Sequence, residues 1–581
     1  MDFKLIKNSG KDLSTVETIL TNRGIKIEDI PSYLSASDDA ILDRKLIDNL
    51  VEGVDLLLKH LNVGNKIFLQ VDSDADGYTS SAFFLNYLYS INPEWLDLIT
   101  YRLHEGKEHG VILREVIDKG YKLVVLIDAG SNQLKEHELM VQNGIDVLVI
   151  DHHECDEISD NALIINNQLS ELYSNKALCG VAMVWKFCEE MDSRFGTVHA
   201  DDYLDLVAIG LIADMMDMRV LETHYLTLCG LDNINNPLLK ALIEKQAYSL
   251  KDELTRFGIS FYVAPLINAT IRVGTQEEKK VMFNSMLTWK AYEEVDSTKR
   301  GCKGEKEWLV TQAVRNCTNV HGRQRKMRQS GAEVLRAQIE HNKLYENQIM
   351  LVEAGDEIDK NLVGLVAMEL AATYKKPVLL LKPYEVDGQI VYQGSGRNYD
   401  RGGLEDFKHF LNESGMFTYA EGHASAFGAG IPKDKISDFI TYANTALANI
   451  SYDPSYEVDF IFDGSDVDTQ VIADIASMRS LWGKGIDEPY VAIKGLSLPA
   501  SRVQLLSPDK KPTIKITLPN GLSMLKFFSS HEEYSRFAPT KDGYVSIDIV
   551  GKCSLNTFRG MCEPQLFIED YQITDVINYC F

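Results

Sequence analysis

The sequence predicts a multidomain α/β protein with an all-β module at its C-terminal end. Three observations carry this reading. Between Lys66 and Asn166, short apolar runs alternate with helical segments. Strands that apolar must be covered on both faces, the condition of a parallel sheet in an α/β layer fold. The alternation resumes over residues 348–450. From residue 455 it gives way to short strands separated by turn residues, the pattern of a small barrel. At 581 residues the chain is too long for one core.

In chain order, residues 1–60 read as a helical segment, with apolar residues at helical spacing in "SYLSASDDAILDRKLIDNLVEGVDLLLKHL". A first α/β domain spans 61–324. Its strands are "IFLQV", "LITYRL", "KLVVLIDAG", "DVLVIDHH" and "ALIIN", and residues 175–260 read as mostly helical. Residues 325–347 read as one long polar connector helix. A second α/β domain covers 348–450 and the β-module 455–581.

Composition sets limits. Hydrophobic content of 45% and charged content of 25% are ordinary for a globular protein. No stretch approaches eighteen uninterrupted apolar residues, so no membrane span is expected. The nine cysteines are scattered, odd in number and never in CxxC pairs. That disfavours a zinc ribbon or a disulfide framework and fits a reducing, cytoplasmic location. A net charge of −26 argues against a protein that coats nucleic acid non-specifically, though not against an enzyme with a local basic channel. Basic residues do cluster, from Lys299 to Arg336; a solvated helix face is the plainer account of them.

The stretch "VDSDADGYTSSA" carries Asp72, Asp74 and Asp76 at alternate positions before Gly77. An EF-hand loop starting at Asp72 would need a glutamate at position twelve, which is Phe83, and a helix before it, where a strand is expected. The unit is instead strand, acidic loop, helix, a junction where α/β sheets bind ligands. Two later strands end in the same chemistry: "LIDAGSN" in Asp128, and "VIDHHECD" in Asp151, His152 and His153. In a parallel sheet these termini share one edge. Five carboxylates and two imidazoles would converge there, joined by Asp214 in "GLIADMMD". So many like charges require cations. The mixed donors suit Mn²⁺ or Mg²⁺, and there are enough of them for two ions.

These residues carry a family resemblance. "DSDADG", "DAG", "DHH" and "GLIAD" resemble, in order, the four motifs of the DHH phosphoesterase superfamily. "LCGVAMVWKF", "FYVAPLINATIRVG", "GSGRN", "AEGHASAFGAGIP", "DEPYVAI" and "LNTFRGMCEPQLFIEDYQI" narrow it to the RecJ-like single-strand-specific exonucleases. The resemblance implies a DHH domain, a DHH-associated domain and a terminal OB-fold. It implies 5′ to 3′ hydrolysis of single-stranded DNA by a two-metal mechanism. One ion would be held by Asp74 and Asp128 with Asp72 or Gln70, the other by Asp76, Asp128, His152 and Asp214, with Asp128 as the bridge. His153 would contact the phosphate and Asp151 would orient a histidine. Ser395, Arg397, Gly422 and His423 would grip the substrate, with Tyr534, Phe537, Phe558 or Trp482 as stacking surfaces.

The chain departs from the family at Gln70, where many relatives carry histidine, at Leu266, where they carry arginine, and in "RLHEGKEHGV", where Lys107 or His109 would substitute for a substrate arginine. These departures suggest a divergent member from a phage or mobile element. The expected partners are single-stranded DNA and host or phage replication and repair proteins, with the enzyme a monomer. Two other readings stand beside this one: a phosphodiesterase of short oligonucleotides or cyclic dinucleotides, and a catalytically silent single-strand-binding scaffold.

Overall fold

The computed structural model describes residues 1–6, 13–105, 108–155, 157–250, 253–355, 358–386, 388–399, 401–452, 455–537, 543–558 and 561–577, without the side chains of Phe558, Met561 and Ile577. The chain forms two compact units. One comprises Arg23–Gln324 with Ser480–Asp487; the other comprises Met1–Asn22, Arg325–Arg479 and Glu488–Phe581.

The first unit is built on five parallel strands: β1 (Ile67–Val71), β2 (Ile99–Leu103), β3 (Leu123–Ile127), β4 (Asp146–Asp151) and β5 (Leu163–Asn166). β1 and β3 are buried at every position, as two-faced coverage demands. The spatial order is β2-β1-β3-β4-β5. The chain therefore leaves β1 to one side and returns on the other. The crevice of this topological switch lies between the carboxyl ends of β1 and β3. Register fixes what stands there. Val71 pairs with Ile127, and Ile127 with Ile150. The next residues, Asp72, Asp128 and Asp151, therefore follow in one row.

Helix α1 (Ala75–Ile91) springs from the loop after β1, and α2 (Gly180–Phe195) and α3 (Leu204–Ala213) pack against it. A buried polar knot ties this layer to the rest of the unit. Glu222 accepts from Leu42 N at 3.0 Å, Tyr173 Oη at 2.7 Å and Asn175 Nδ2 at 2.8 Å, and pairs with Lys186 Nζ of α2 at 2.8 Å. Both Lys186 and Glu222 are buried.

In the second unit, β6 (Met350–Glu353), β7 (Val378–Val386), β8 (Gln389–Arg397), β9 (Tyr419–His423) and β10 (Ala426–Pro432) form a sheet in the order β9-β10-β8-β7-β6. Three expectations differ from the structure. The N-terminal segment is not wholly helical: Asp2–Leu5 is a strand paired in parallel with Ser455–Val458, because its alternating pattern offers one face to a neighbouring strand. The connector is part of a longer helix, Leu309–His341, since no Pro interrupts that run. The terminal module is a seven-stranded sheet, and no hydrogen-bonded pair among the described residues joins its outermost strands, Phe460–Asp463 and Val503–Leu506, into a closed barrel. No helix among the described residues is long and apolar enough to cross a membrane.

Glu222→Ala strands a buried ammonium and should cost about 3–5 kcal/mol of stability, whereas Glu222→Gln keeps part of the hydrogen bonding and should cost less. Urea unfolding of both variants checks this; equal midpoints with the parent would contradict it.

Candidate metal centre

Asp72 is buried at the head of the row. His109 Nδ1 lies 2.8 Å from its Oδ1, and His104 Nε2 lies 3.5 Å away. Burial opposes ionisation here, but the two imidazoles beside it, His109 hydrogen-bonded and His104 close by, hold the carboxyl at about 2. The loop bearing His109 is sewn down: Ser73 Oγ donates to Glu108 O at 3.1 Å, and Arg102 and Arg114 grip the Glu108 carboxylate. Gln70 is buried, with its Oε1 lacking a hydrogen bond. Its amide nitrogen bonds Val71 O and Arg102 O.

Asp74 caps α1, accepting from Gly77 N at 2.9 Å. Burial and the charges of Asp76 and Asp72 push its carboxyl up to about 6. Asp76 lies in the first turn of α1, and its oxygens accept from Gly180 N at 2.5 Å and Val181 N at 3.1 Å. The positive end of α2 thus faces this carboxylate. Close approach requires glycine at two points. A Cβ on Gly180 would lie 2.7 Å from Asp128 Oδ1, and one on Gly210 would collide with Asp76 Oδ1.

Asp128 adopts a left-handed backbone, φ 62°, at the end of β3. Such a conformation costs most residues about 1–3 kcal/mol and aspartate less. Both of its carboxylate oxygens are buried without a hydrogen bond. His152 Nε2 approaches Oδ1 at 3.1 Å, but not along a hydrogen-bonding direction. Burial, with the carboxylates of Asp76, Asp74, Asp72 and Asp151, raises the Asp128 pKa well above the usual range.

Asp151 is the opposite case. Its oxygens accept from His152 N, His153 N, His153 Nδ1 at 2.8 Å and Ser131 N at 3.1 Å. It is buried, yet these donors, His153 foremost, hold its pKa below the ordinary value. Its oxygens are thus largely occupied by donors, one of them His153 Nδ1. The bond to Asp151 in turn raises His153 to about 9, and its side chain is about half-exposed. Asn166 braces the same turn by donating to His153 O at 2.9 Å. His152 is buried, which lowers its pKa and favours the neutral, ligand-competent ring. Its Nε2 lies 3.5 Å from Asp214 Oδ2 and 3.9 Å from Asp76 Oδ2. Burial and the charges of Asp76 and Asp74 push Asp214 up to about 8.

Three overlapping donor sets therefore converge, each with ligand atoms within 4.8 Å of one another: Asp72, Asp74 and Asp128; Asp76, His152 and Asp214; and Asp128, Asp151, His152 and His153. The orphaned oxygens of Asp128 and the raised carboxyls around it mark a deficit of positive charge. Divalent cations fit that deficit, and the oxygen-rich donors suit Mn²⁺ or Mg²⁺.

The sequence reading missed Asn268 and Arg272, on helix α4 (Ala264–Val273). They line a cavity of about 120 Å³ with Asp74, Asp76 and Asp214. The signal was available: Asn268 and Arg272 stand four residues apart on a largely apolar helix. Leu266 faces the core of the same helix and is 2% exposed, so an arginine there would not reach the cavity along this face. His104 was missed because nothing in the sequence marks it as buried. Lys107 lies outside the described residues. In the second unit, Arg397 and His423 flank Ala426 in one row across β8, β10 and β9, roughly 10 Å apart by strand spacing. Ser395 lies two residues along β8 from Arg397, and Gly422, φ 129°, precedes His423. Phe537 and Trp482 are buried, which excludes them as stacking surfaces; the Phe558 side chain lies outside the described residues and Tyr534 is half-buried. Of the ten basic residues clustered between Lys299 and Arg336, five (Lys306, Arg315, Arg323, Arg328 and Arg336) are ion-paired to carboxylates, which weakens the case for a basic channel made of them.

Comparison with known proteins agrees with this geometry. The family model described as "DHH family, N-terminal domain" matches residues 66–211. A protein of the SPbeta prophage in Bacillus subtilis strain 168, named as a single-strand DNA-specific exonuclease, YorK, is 36% identical over 99% of this chain and 98% of its own. The single-stranded-DNA-specific exonuclease RecJ of the same bacterium is 25% identical over 96% of this chain and 68% of its own. The crystal structure of RecJ in complex with Mn²⁺ from Thermus thermophilus superposes with a TM-score of 0.71 at 17% identity, covering 99% of this chain and 80% of that one.

The raised carboxyls carry a pH signature. Asp74 at about 6 and Asp214 at about 8 keep protons that the unfolded chain sheds near its ordinary value of 3.8. Stability of the metal-free protein from these groups is full below about pH 4 and falls as pH rises toward 8. Bound Mn²⁺ replaces the protons as counter-charge, so the rise in Tm on adding Mn²⁺ should be larger at pH 8 than at pH 6. Thermal melts at both values check this, and a shift that shrinks with rising pH would contradict it.

Proposed function

The chain belongs to the RecJ-like single-strand-specific exonucleases of the DHH phosphoesterase superfamily, and from that premise we propose how its residues divide the work. The protein is a metal-dependent hydrolase of phosphodiester bonds in single-stranded DNA, using Mn²⁺ or Mg²⁺. The observation that carries the assignment is the buried row at the switch point, where Asp128 has both oxygens unpaired and belongs to two of the overlapping donor sets.

Asp72, Asp74 and Asp128 would hold one cation, and Asp76, His152 and Asp214 the other, with Asp128 shared. When bound, such cations supply Lewis-acid stabilisation of the phosphate and lower the pKa of water. The chain's own residues do the rest. His153, tied through Nδ1 to Asp151, presents its other nitrogen to a non-bridging phosphate oxygen and stabilises developing charge. Arg272 and Asn268 on the cavity wall orient the phosphate from the opposite side. Ser395, Arg397, Gly422 and His423 hold the strand's phosphates on the second unit. The strand is degraded 5′ to 3′, with release of nucleotides. The full ligand set argues against a silent scaffold, and the C-terminal seven-stranded sheet argues against an enzyme confined to small nucleotides.

Incubation with Mn²⁺ and end-labelled single-stranded DNA, duplex, RNA and a cyclic dinucleotide tests the assignment. Only the single-stranded DNA should be degraded rapidly, a 5′ label should appear at once as a very short product, and a 3′ label should persist on shortening strands. Preference for the cyclic dinucleotide would reverse the reading. His153→Ala should retain metal yet lose roughly 10²–10³-fold in kcat, whereas His152→Ala should lose an ion. Metal occupancy measured on both variants separates the two roles; equal metal loss in both would void them.

A further inference from the structure

One exposed helical face runs from the metal-site cavity to a pair of solvent-facing aromatic rings. Phe257, Phe261, Pro265, Asn268 and Arg272 recur at steps of four, four, three and four residues. The residues between them on other faces, Ile259, Val263, Leu266, Ile267 and Ile271, are buried. At one end Asn268 and Arg272 line the cavity with Asp74, Asp76 and Asp214. At the other end Phe257 and Phe261 are 43% and 61% exposed, with their rings stacked at 4.2 Å and 24°. The turn carrying Phe261, Ile259–Val263, is wound as a π-helix and continues directly into α4. Such turns are rare and recur at functional sites.

Two large rings left in water gain little for the fold, since their hydrophobic stabilisation comes from burial. Stacked and facing outward, they offer a flat apolar platform of the kind on which nucleobases pile irrespective of sequence. From Phe261 to Arg272 is eleven residues, about 16 Å at helical rise, or about five nucleotides at the stacked spacing of 3.4 Å. We propose that Phe257 and Phe261 form a base-stacking platform for the substrate strand whose scissile phosphate lies at the metal centre. The occupant is fixed by continuity: the same helix that presents the rings presents the guanidinium and amide that face the phosphate. The platform also favours single strands, because only unpaired bases can turn their faces to it. This inference rests on the reading of the metal centre as a single-strand phosphodiesterase.

The test uses the full chain with Ca²⁺ in place of Mn²⁺ to limit cleavage. Binding of a short single-stranded oligonucleotide is compared with binding of a strand of equal length carrying abasic sites. The parent should bind the base-bearing strand more tightly. The Phe257→Ala, Phe261→Ala double variant should lose roughly 5- to 150-fold per stacked base on that strand, little on the abasic one, and so lose most of the discrimination. Phe261→Trp should keep the discrimination and shows that a large ring, not phenylalanine itself, is what matters. Unchanged discrimination in the double variant, or equal losses on both strands, would overturn the platform. So would self-association of the parent that the double variant abolishes, since the rings would then serve a second copy of the chain. A parent that binds neither strand would overturn the underlying reading and the platform with it.

Discussion

Carboxylates aligned on one buried sheet edge repel one another, and the first unit is arranged around holding them there. Asp72, Asp128 and Asp151 follow strands in register, so their spacing is set by the sheet and cannot relax. Asp74, Asp76 and Asp214 crowd the same crevice from the starts and ends of helices. Each is placed by a different device: a cap on α1, the amide end of α2, and the turn after α3. The glycines at 180 and 210 let the helices come close enough for this to happen. A row of this kind is tolerable only with positive charge supplied from outside the chain.

Hydrogen bonding sorts the carboxylates into two classes. Asp151 is surrounded by backbone and imidazole donors, His153 Nδ1 among them, and it ionises readily. Asp128, next to it in the row, has no hydrogen bond on either oxygen and resists ionisation. The same residue type on neighbouring strands thus stands hydrogen-bonded in one place and unpaired in the other. Asp72 lies between these extremes, since His109 and His104 approach it while its row position keeps it beside Asp128.

Much of this was legible in the sequence because it depends on local pattern. Apolar runs ending in Asp72, Asp128 and Asp151 announce strands, and a parallel sheet brings their ends together whatever the details. The helix after Gly77 and the helical character of 175–260 follow from the same periodicity. What stayed hidden depends on contacts far apart in sequence. The amides of Gly180 and Val181 reach Asp76 across more than a hundred residues, and the pairing of Asp2–Leu5 with Ser455–Val458 spans most of the chain. Trp482 looks like a stacking surface in sequence, but it is buried. Phe261 lies in a largely apolar run, and its exposure goes with a π-helical turn that periodicity does not announce. A closed barrel was expected from short strands separated by turn residues and from the family resemblance, and neither specifies which edges meet.

The account turns on Asp128 serving two cations at once. Anomalous diffraction at the manganese edge, from crystals of the protein grown with Mn²⁺, tests this most directly. Two peaks are expected, one beside Asp72 and Asp74 and one beside Asp76, His152 and Asp214, with an Asp128 oxygen coordinating at each. A single peak, or two peaks with Asp128 bound to neither or only one, would contradict the account.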